Sequence, residues 1–123
     1  MKVKEVLRRA KAPREVFNFY REQRRLEEEI TLPLDKEIDE IASLFKCLAN
    51  PVRIKLLLLL SKPHCVCMLS YLTGLDITLI SHHLAKLKMC GLVKVKSKAR
   101  IRIYETDPRK IKHLITVLAS LLE

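Results

Sequence analysis

The chain has 123 residues, 49% of them apolar and 31% charged, and its 24 lysines and arginines outnumber 14 aspartates and glutamates to leave a formal charge of +10. That length buries one core rather than two independent ones, and three tyrosines, three phenylalanines and no tryptophan exclude a large aromatic stacking surface. What remains is a mainly helical globular domain with a polyanionic partner: only two glycines interrupt a chain rich in Leu, Ile and Lys, and helix interiors lose stability at each glycine.

The opening residues, "MKVKEVLRRAKAPREV", are basic and lack an apolar signal core, and no stretch is long enough to cross a bilayer. A cytoplasmic protein with no membrane partner is expected, its four cysteines reduced rather than joined in a disulfide framework. From 14 to 31, Val16, Phe19, Gln23, Leu26 and Ile30 fall at alternating steps of three and four, the seam of an amphipathic helix. Pro33 in "LPLD" ends it, and Asp35 is placed to cap a second helix with Ile38, Ile41, Phe45 and Leu48 on one face. Asn50-Pro51 marks a break, since Pro51 suits a first helical position. "VRIKLLLLL" then reads as a helix apolar nearly all round, hence a central one, stopped by Lys62-Pro63.

Two short helices follow, about 65 to 73 and 77 to 90, separated by Gly74-Leu75-Asp76. Gly74 supplies the tight turn and Asp76 the cap, and helix, tight turn, helix is the outline of a DNA reader. Beyond Gly91 the period changes to two, with Val93 and Val95 alternating against Lys94 and Lys96, then Ile101 and Ile103 against Arg100 and Arg102. Two strands joined by Ser97-Lys98-Ala99 are expected to pair as a hairpin. Between Lys94 and Lys112 eight bases face only Glu105 and Asp107, so Lys96, Lys98, Arg100 and Arg102 are candidate phosphate contacts. After Pro108, the residues Ile111, Leu114, Ile115, Leu118, Leu121 and Leu122 make the apolar stripe of a terminal helix.

The elements add up to a mainly α fold with a small β-hairpin, a winged helix-turn-helix. Residues 1–34 form an N-terminal amphipathic helical extension, 35–107 the DNA-binding domain and 108–123 a C-terminal helix. The apolar stripes of the first and last segments have no obvious cover within one small domain, so both are expected to make a homodimer contact. A two-fold dimer suits a double-stranded DNA operator with symmetric half-sites. Catalysis is not expected, because there is no Cys-x-x-Cys, no phosphate-cradling glycine loop and no recognisable nucleophile beside a base.

From about Ile41 to Tyr104, "LFKCLANPVRIKLLLLL", "CVCMLSYLTGLDITLISHHLAKL" and "GLVKVKSKARIRIYE" together resemble the ArsR/SmtB family of metal-responsive transcriptional repressors. The resemblance implies a homodimer released from its operator when an effector binds. It places the recognition helix on Asp76 to Met89, with Thr78, Ser81, His82 and Lys86 as candidates to face DNA, while His83 packs inward. Ile77 and Leu79 stand where relatives often carry Gln and Thr. "CVC" is similar to the arsenite-responsive members, which makes Cys65 and Cys67 the candidate ligands of As(III), Sb(III) or another thiophilic metal, with no cofactor otherwise required. On a regular helix residues two apart diverge, so an ion holding both sulfurs would unwind or strain the first turn and couple binding to release. His64 adjoins the pair as a further donor or as a loop residue. Cys47 and Cys90, where relatives tend to carry Ala, read as small buried hydrophobes. The family's second site, opening Asp-x-His on the terminal helix, is unmatched, since Asp107 is followed by Arg109 and only His113 lies beyond. A thiol-redox-responsive regulator and an effector-independent DNA binder are the alternatives.

Overall fold

In the computed structural model, which describes residues 1–123, the chain divides after Asp35 into two units. The first contains α1 (Val3–Arg9) and α2 (Arg14–Glu22). Val3 and Leu7, four residues apart on α1, are its buried side chains. The single helix expected over 14 to 31 is not formed. α2 ends at Glu22, Arg24 adopts a left-handed φ of 57°, and the chain returns to pair Glu29 with Lys2. The physical reason lies outside the local pattern. Val3 and Lys4 donate backbone hydrogen bonds to Glu28 and Leu26 at 2.9 and 3.0 Å, and Lys2 and Lys4 both meet the Glu27 carboxylate, at 2.9 and 2.6 Å. Lys4, then Lys2, holds Glu27 down to about 2.

The second unit runs α3 (Asp35–Leu48), α4 (Pro51–Leu59), β1 (His64–Cys65), α5 (Val66–Thr73), α6 (Ile77–Met89), β2 (Val93–Lys98), β3 (Ile101–Thr106) and α7 (Pro108–Ser120). Its core is aliphatic, with Leu56, Leu60, Leu69, Ile80, Leu84 and Leu92 wholly buried. The "LANPVR" stretch has a structural task at the junction of three helices. The Asn50 side chain caps α4, accepting from the amides of Val52 and Arg53 at 2.9 and 3.2 Å, and Pro51 takes the first turn, where its missing N–H is harmless. The Arg53 guanidinium donates to the Cys47 carbonyl at the end of α3, at 3.0 Å, and to His83 Nδ1 on α6, at 3.3 Å. α4 is less central than its sequence suggests: Leu56 and Leu57 are buried, but Ile54 and Leu58, four apart, lie exposed.

The expected hairpin is present and carries a third strand. The sheet order is β1-β3-β2, all antiparallel, with His64 opposite Tyr104 and Cys65 opposite Ile103. The hairpin turn is Ala99-Arg100 rather than Ser97-Lys98-Ala99, because Lys98 still pairs with Ile101. Ala99 supplies the left-handed residue, φ 55°, that a two-residue turn requires. β3 is tied to α4, where the Thr106 amide and hydroxyl donate to the carbonyls of Leu60 and Leu57 at 2.8 and 3.0 Å. On α7 only Leu114 of the apolar stripe is fully buried; Ile115, Leu118, Leu121 and Leu122 are exposed. No helix is long and apolar enough to cross a membrane.

Candidate nucleic-acid interface

The geometry of α6 follows from its caps and its apolar positions. Gly74, at φ 71°, terminates α5, and the Asp76 carboxylate opens α6 by accepting from the Thr78 amide at 3.1 Å. Between them Ser70 and Thr73 lock the turn: the Ser70 hydroxyl donates to the Leu75 carbonyl at 2.7 Å, and the Leu75 amide donates to Thr73 Oγ1 at 3.2 Å. Ile80, His83, Leu84 and Leu87 are buried, and at 100° per residue they occupy one side of the helix. Each such aliphatic burial contributes about 1.5–3 kcal/mol, which fixes the rotation of α6 about its axis. Thr78, Ser81, His82 and Lys86 consequently share the opposite, exposed arc, together with Ala85 and Met89.

His83 packs inward as expected, accepting the Arg53 hydrogen bond. Burial, then the Arg53 charge, lowers its pKa from the ordinary 6.5. Ile77 and Leu79 flank the exposed arc and are themselves exposed.

The basic residues of the hairpin divide between its faces. Strand alternation puts Lys94, Lys96 and Lys98 on one face with their cross-strand partners Glu105, Ile103 and Ile101. Arg102, opposite Ser97, lies on the other face, the one that buries Val93 and Tyr104. There its guanidinium lies 5.8 Å from the Tyr104 ring centroid, and it lines a groove of about 470 Å3 with Ser81, Ala85 and Lys88 of α6. Arg100 sits at the turn. The structure thus brings Arg102 to the α6 arc and leaves Lys96 and Lys98 on the outer face of the hairpin. Lys94 is partly neutralised by Glu105 at 3.5 Å. Lys88, absent from the candidates read from sequence, joins this groove; it lies seven residues after Ser81, two helical turns along the same side, which was the available signal.

Cys65 and Cys67 occupy different elements. Cys65 is the extended N-cap of α5, half-buried, with its backbone in β1, and Cys67 is exposed in the first helical turn. No cluster of three or more His, Cys, Asp or Glu side chains capable of holding a metal exists in the chain. Cys65 therefore connects to the hairpin through its backbone pairing with Ile103, a link that a two-residue strand is too short to announce by periodicity. Of the other thiols, Cys47 is buried and Cys90 half-buried.

Asp107 caps α7, accepting from the Arg109 amide at 3.1 Å and from its guanidinium at 2.7 Å. The Arg109 side chain holds the Asp107 carboxyl down to about 2, and this residue is accounted for as a structural cap.

Comparison with known proteins agrees with this geometry. Residues 50–95, from the α4 cap to β2, match the family model described as "Bacterial regulatory protein, arsR family". A cadmium resistance transcriptional regulatory protein, a CadC homolog of Staphylococcus aureus, is 30% identical over 78 residues, 62% of this chain; the match spans 64% of the length of that relative. Among solved structures, reduced HlyU from Vibrio cholerae is 30% identical with a TM-score of 0.60, the alignment covering 71% of this chain and 93% of that one. A homodimeric winged helix-turn-helix DNA-binding domain from Mycobacterium bovis, studied in solution as a possible ArsR-family regulator, is 25% identical with a TM-score of 0.60 over 76% of this chain and 90% of its own. The chain belongs to the arsR family of bacterial regulatory proteins and shares the winged helix-turn-helix fold of its solved neighbours.

Proposed function

We propose that this chain is a transcriptional repressor that binds a double-stranded DNA operator as a homodimer, with α6 in the major groove and Arg102, Arg100 and Lys88 on the flanking phosphates. The observation that carries the reading is the exposed arc of Thr78, Ser81, His82 and Lys86, set opposite a buried aliphatic side and bordered by the Arg102 groove. Short hydroxyls and an imidazole can bond to base edges, while guanidinium and ammonium groups neutralise phosphates. Lys96 and Lys98, on the outer hairpin face, reach phosphate only from the side of the wing. The homodimer is supported by the exposed apolar positions of α7 and by the homodimeric neighbour from Mycobacterium bovis.

The inducer in this reading is a thiophilic metal or metalloid, As(III), Sb(III) or Cd(II), taken by Cys65 and Cys67. The name of the Staphylococcus aureus relative supports cadmium as one candidate. Two thiols fit a soft ion that completes its shell with water or a small added thiol, since no third protein donor joins them. Drawing the two sulfurs together would move β1, and the Cys65 pairing with Ile103 would carry that movement to β3 and the wing. A gel-shift titration on the DNA upstream of its own gene, with and without arsenite, antimonite and cadmium, tests the reading. Release by one of these ions that disappears in the Cys65→Ser/Cys67→Ser double variant, with DNA binding intact, is the expected result. Ion-dependent release that survives in the double variant removes these thiols from the inducer site.

A further inference from the structure

We propose that Cys47 and Cys90 form a second, separate thiol site, a redox dithiol that peroxide closes into an intrachain disulfide fastening the C-terminus of the recognition helix to α3. The sulfur of Cys47, in the last turn of α3, lies 3.8 Å from the Lys86 carbonyl oxygen. The same oxygen accepts the backbone N–H of Cys90, the C-cap of α6, at 3.1 Å. The Cys47 thiol and the Cys90 backbone, 43 positions apart in the sequence, thus meet at one carbonyl oxygen, and the two side chains lie within hydrogen-bonding reach of each other. Both line a cleft of about 300 Å3 whose other walls include Lys46, Arg53 and Lys86, ample for a peroxide molecule.

The lining decides between the two chemistries open to paired thiols. The cleft that holds both thiols is walled by three cations and no carboxylate, which disfavours a divalent metal between the sulfurs and leaves oxidation, with Asp39 and Glu40 bordering Cys90 alone, in an adjoining cleft. Cys90, the more open of the two, meets the oxidant first. Its thiolate sulfur attacks one peroxide oxygen, the O–O bond breaks, and the departing hydroxide takes up a proton to leave water and a sulfenic acid on Cys90. The Cys47 sulfur then attacks the Cys90 sulfur, the S–O bond breaks, and the hydroxyl departs as a second water with the Cys47 proton. Two thiols and one hydrogen peroxide thus give one disulfide and two waters. Burial first, then the neighbouring Cys90, pushes Cys47 up to about 11, which suits it to hold its proton until the sulfenic acid has formed.

The consequence for DNA rests on the reading of α6 given above. A disulfide requires its sulfurs within about 2.05 Å, so closing it draws the last turn of α6 toward α3 beside Arg53, which already bridges Cys47 and His83. A change of that kind in a packed helix falls in the coupling range of about 5–150-fold; we expect about a tenfold loss of duplex affinity.

The reduced full-length chain, treated with mild peroxide and mapped without reductant, should yield a peptide joining Cys47 to Cys90. Fluorescence anisotropy with a labelled duplex from upstream of its gene should show the affinity loss, reversed by dithiothreitol. The Cys65→Ser/Cys67→Ser variant should retain both responses, and Cys90→Ala should lose both while binding DNA normally when reduced. A bridge between Cys65 and Cys67, a bridge between chains, or a peroxide response preserved in Cys90→Ala overturns the proposal. Failure of the reduced chain to bind duplex would sink the repressor reading instead, and the bridged peptide would still decide the dithiol.

Discussion

α6 and the β2–β3 hairpin line the same groove but are oriented by different forces. α6 is held by side chains: Ile80, Leu84 and Leu87 are wholly buried, and their 3.6-residue spacing sends the four candidate DNA contacts to a single arc. The wing is held by backbone, through the β2–β3 ladder and the Thr106 bonds to α4. Its two-residue period keeps Lys94, Lys96 and Lys98 on one face, and the β2–β3 register puts Arg102 on the other. A run of alternating lysines and arginines is therefore not one cationic surface, and only Arg102 shares a groove with α6.

The largest expected effect breaks the helix side of this contrast. Leu84→Ala removes a fully buried side chain and should cost about 2–5 kcal/mol of unfolding free energy in a urea titration. Arg102→Ala, an exposed site, should leave unfolding within about 0.5 kcal/mol of the parent. Equal stabilities for Leu84→Ala and the parent would mean that α6 is not positioned by its aliphatic side.

Which parts of this arrangement can be read from sequence follows from the same contrast. The helix boundaries from Asp35 to Met89 were legible because caps and apolar periods are local: Asn50-Pro51, Gly74 and Asp76 act within three residues of themselves. The candidates on the exposed arc of α6 came instead from the family resemblance, which named Thr78, Ser81, His82 and Lys86. The N-terminal segment was not, since Gln23 to Ile30 continue a helical apolar spacing and their departure from it depends on Lys2 and Lys4, more than twenty residues away. β1 was missed because two residues show no period. The division of the wing bases needed the register Lys96 to Ile103, which a turn placed one or two residues early conceals. The meeting of Cys47 with Cys90 is a tertiary contact between helix ends, and no spacing announces it.

The second prediction sharpens the contrast within the wing. Arg102→Ala should weaken binding to every duplex and lower the log–log salt slope by about one. Lys98→Ala, on the outer face, should change both less. If the two variants lose affinity equally, DNA lies across the outer face of the hairpin and the Arg102 groove is not the contact surface.

A third acts on the buried side of α6 through pH. The His83 pKa is lowered from 6.5 in the folded chain by burial and by Arg53, so as pH falls below about 6.5 the unfolded chain gains a proton that the folded chain refuses. Stability is then lost as pH falls through that window, and is fully present above it. Thermal melts of the parent between neutral pH and about pH 5 should show this decline, and His83→Gln, which keeps an acceptor for Arg53 and cannot titrate, should flatten it. Unchanged slopes would detach the histidine from the energetics of the helix.

The smallest effect returns to the wing. Lys94 is held 3.5 Å from Glu105, with both side chains partly exposed, and an exposed pair of that kind contributes about 0–1 kcal/mol to stability. Glu105→Gln should therefore leave the melting temperature nearly unchanged while freeing one positive charge on the outer face. If phosphates pass beside that face, the salt slope of duplex binding should steepen by up to about one, and weak non-specific binding should rise. If they pass only along the Arg102 groove, neither should move. Because the substitution adds charge without removing a contact, it separates the two faces in the direction opposite to the alanine variants: a steeper slope here, with Lys98→Ala silent, would require that DNA approach the root of the wing rather than its tip.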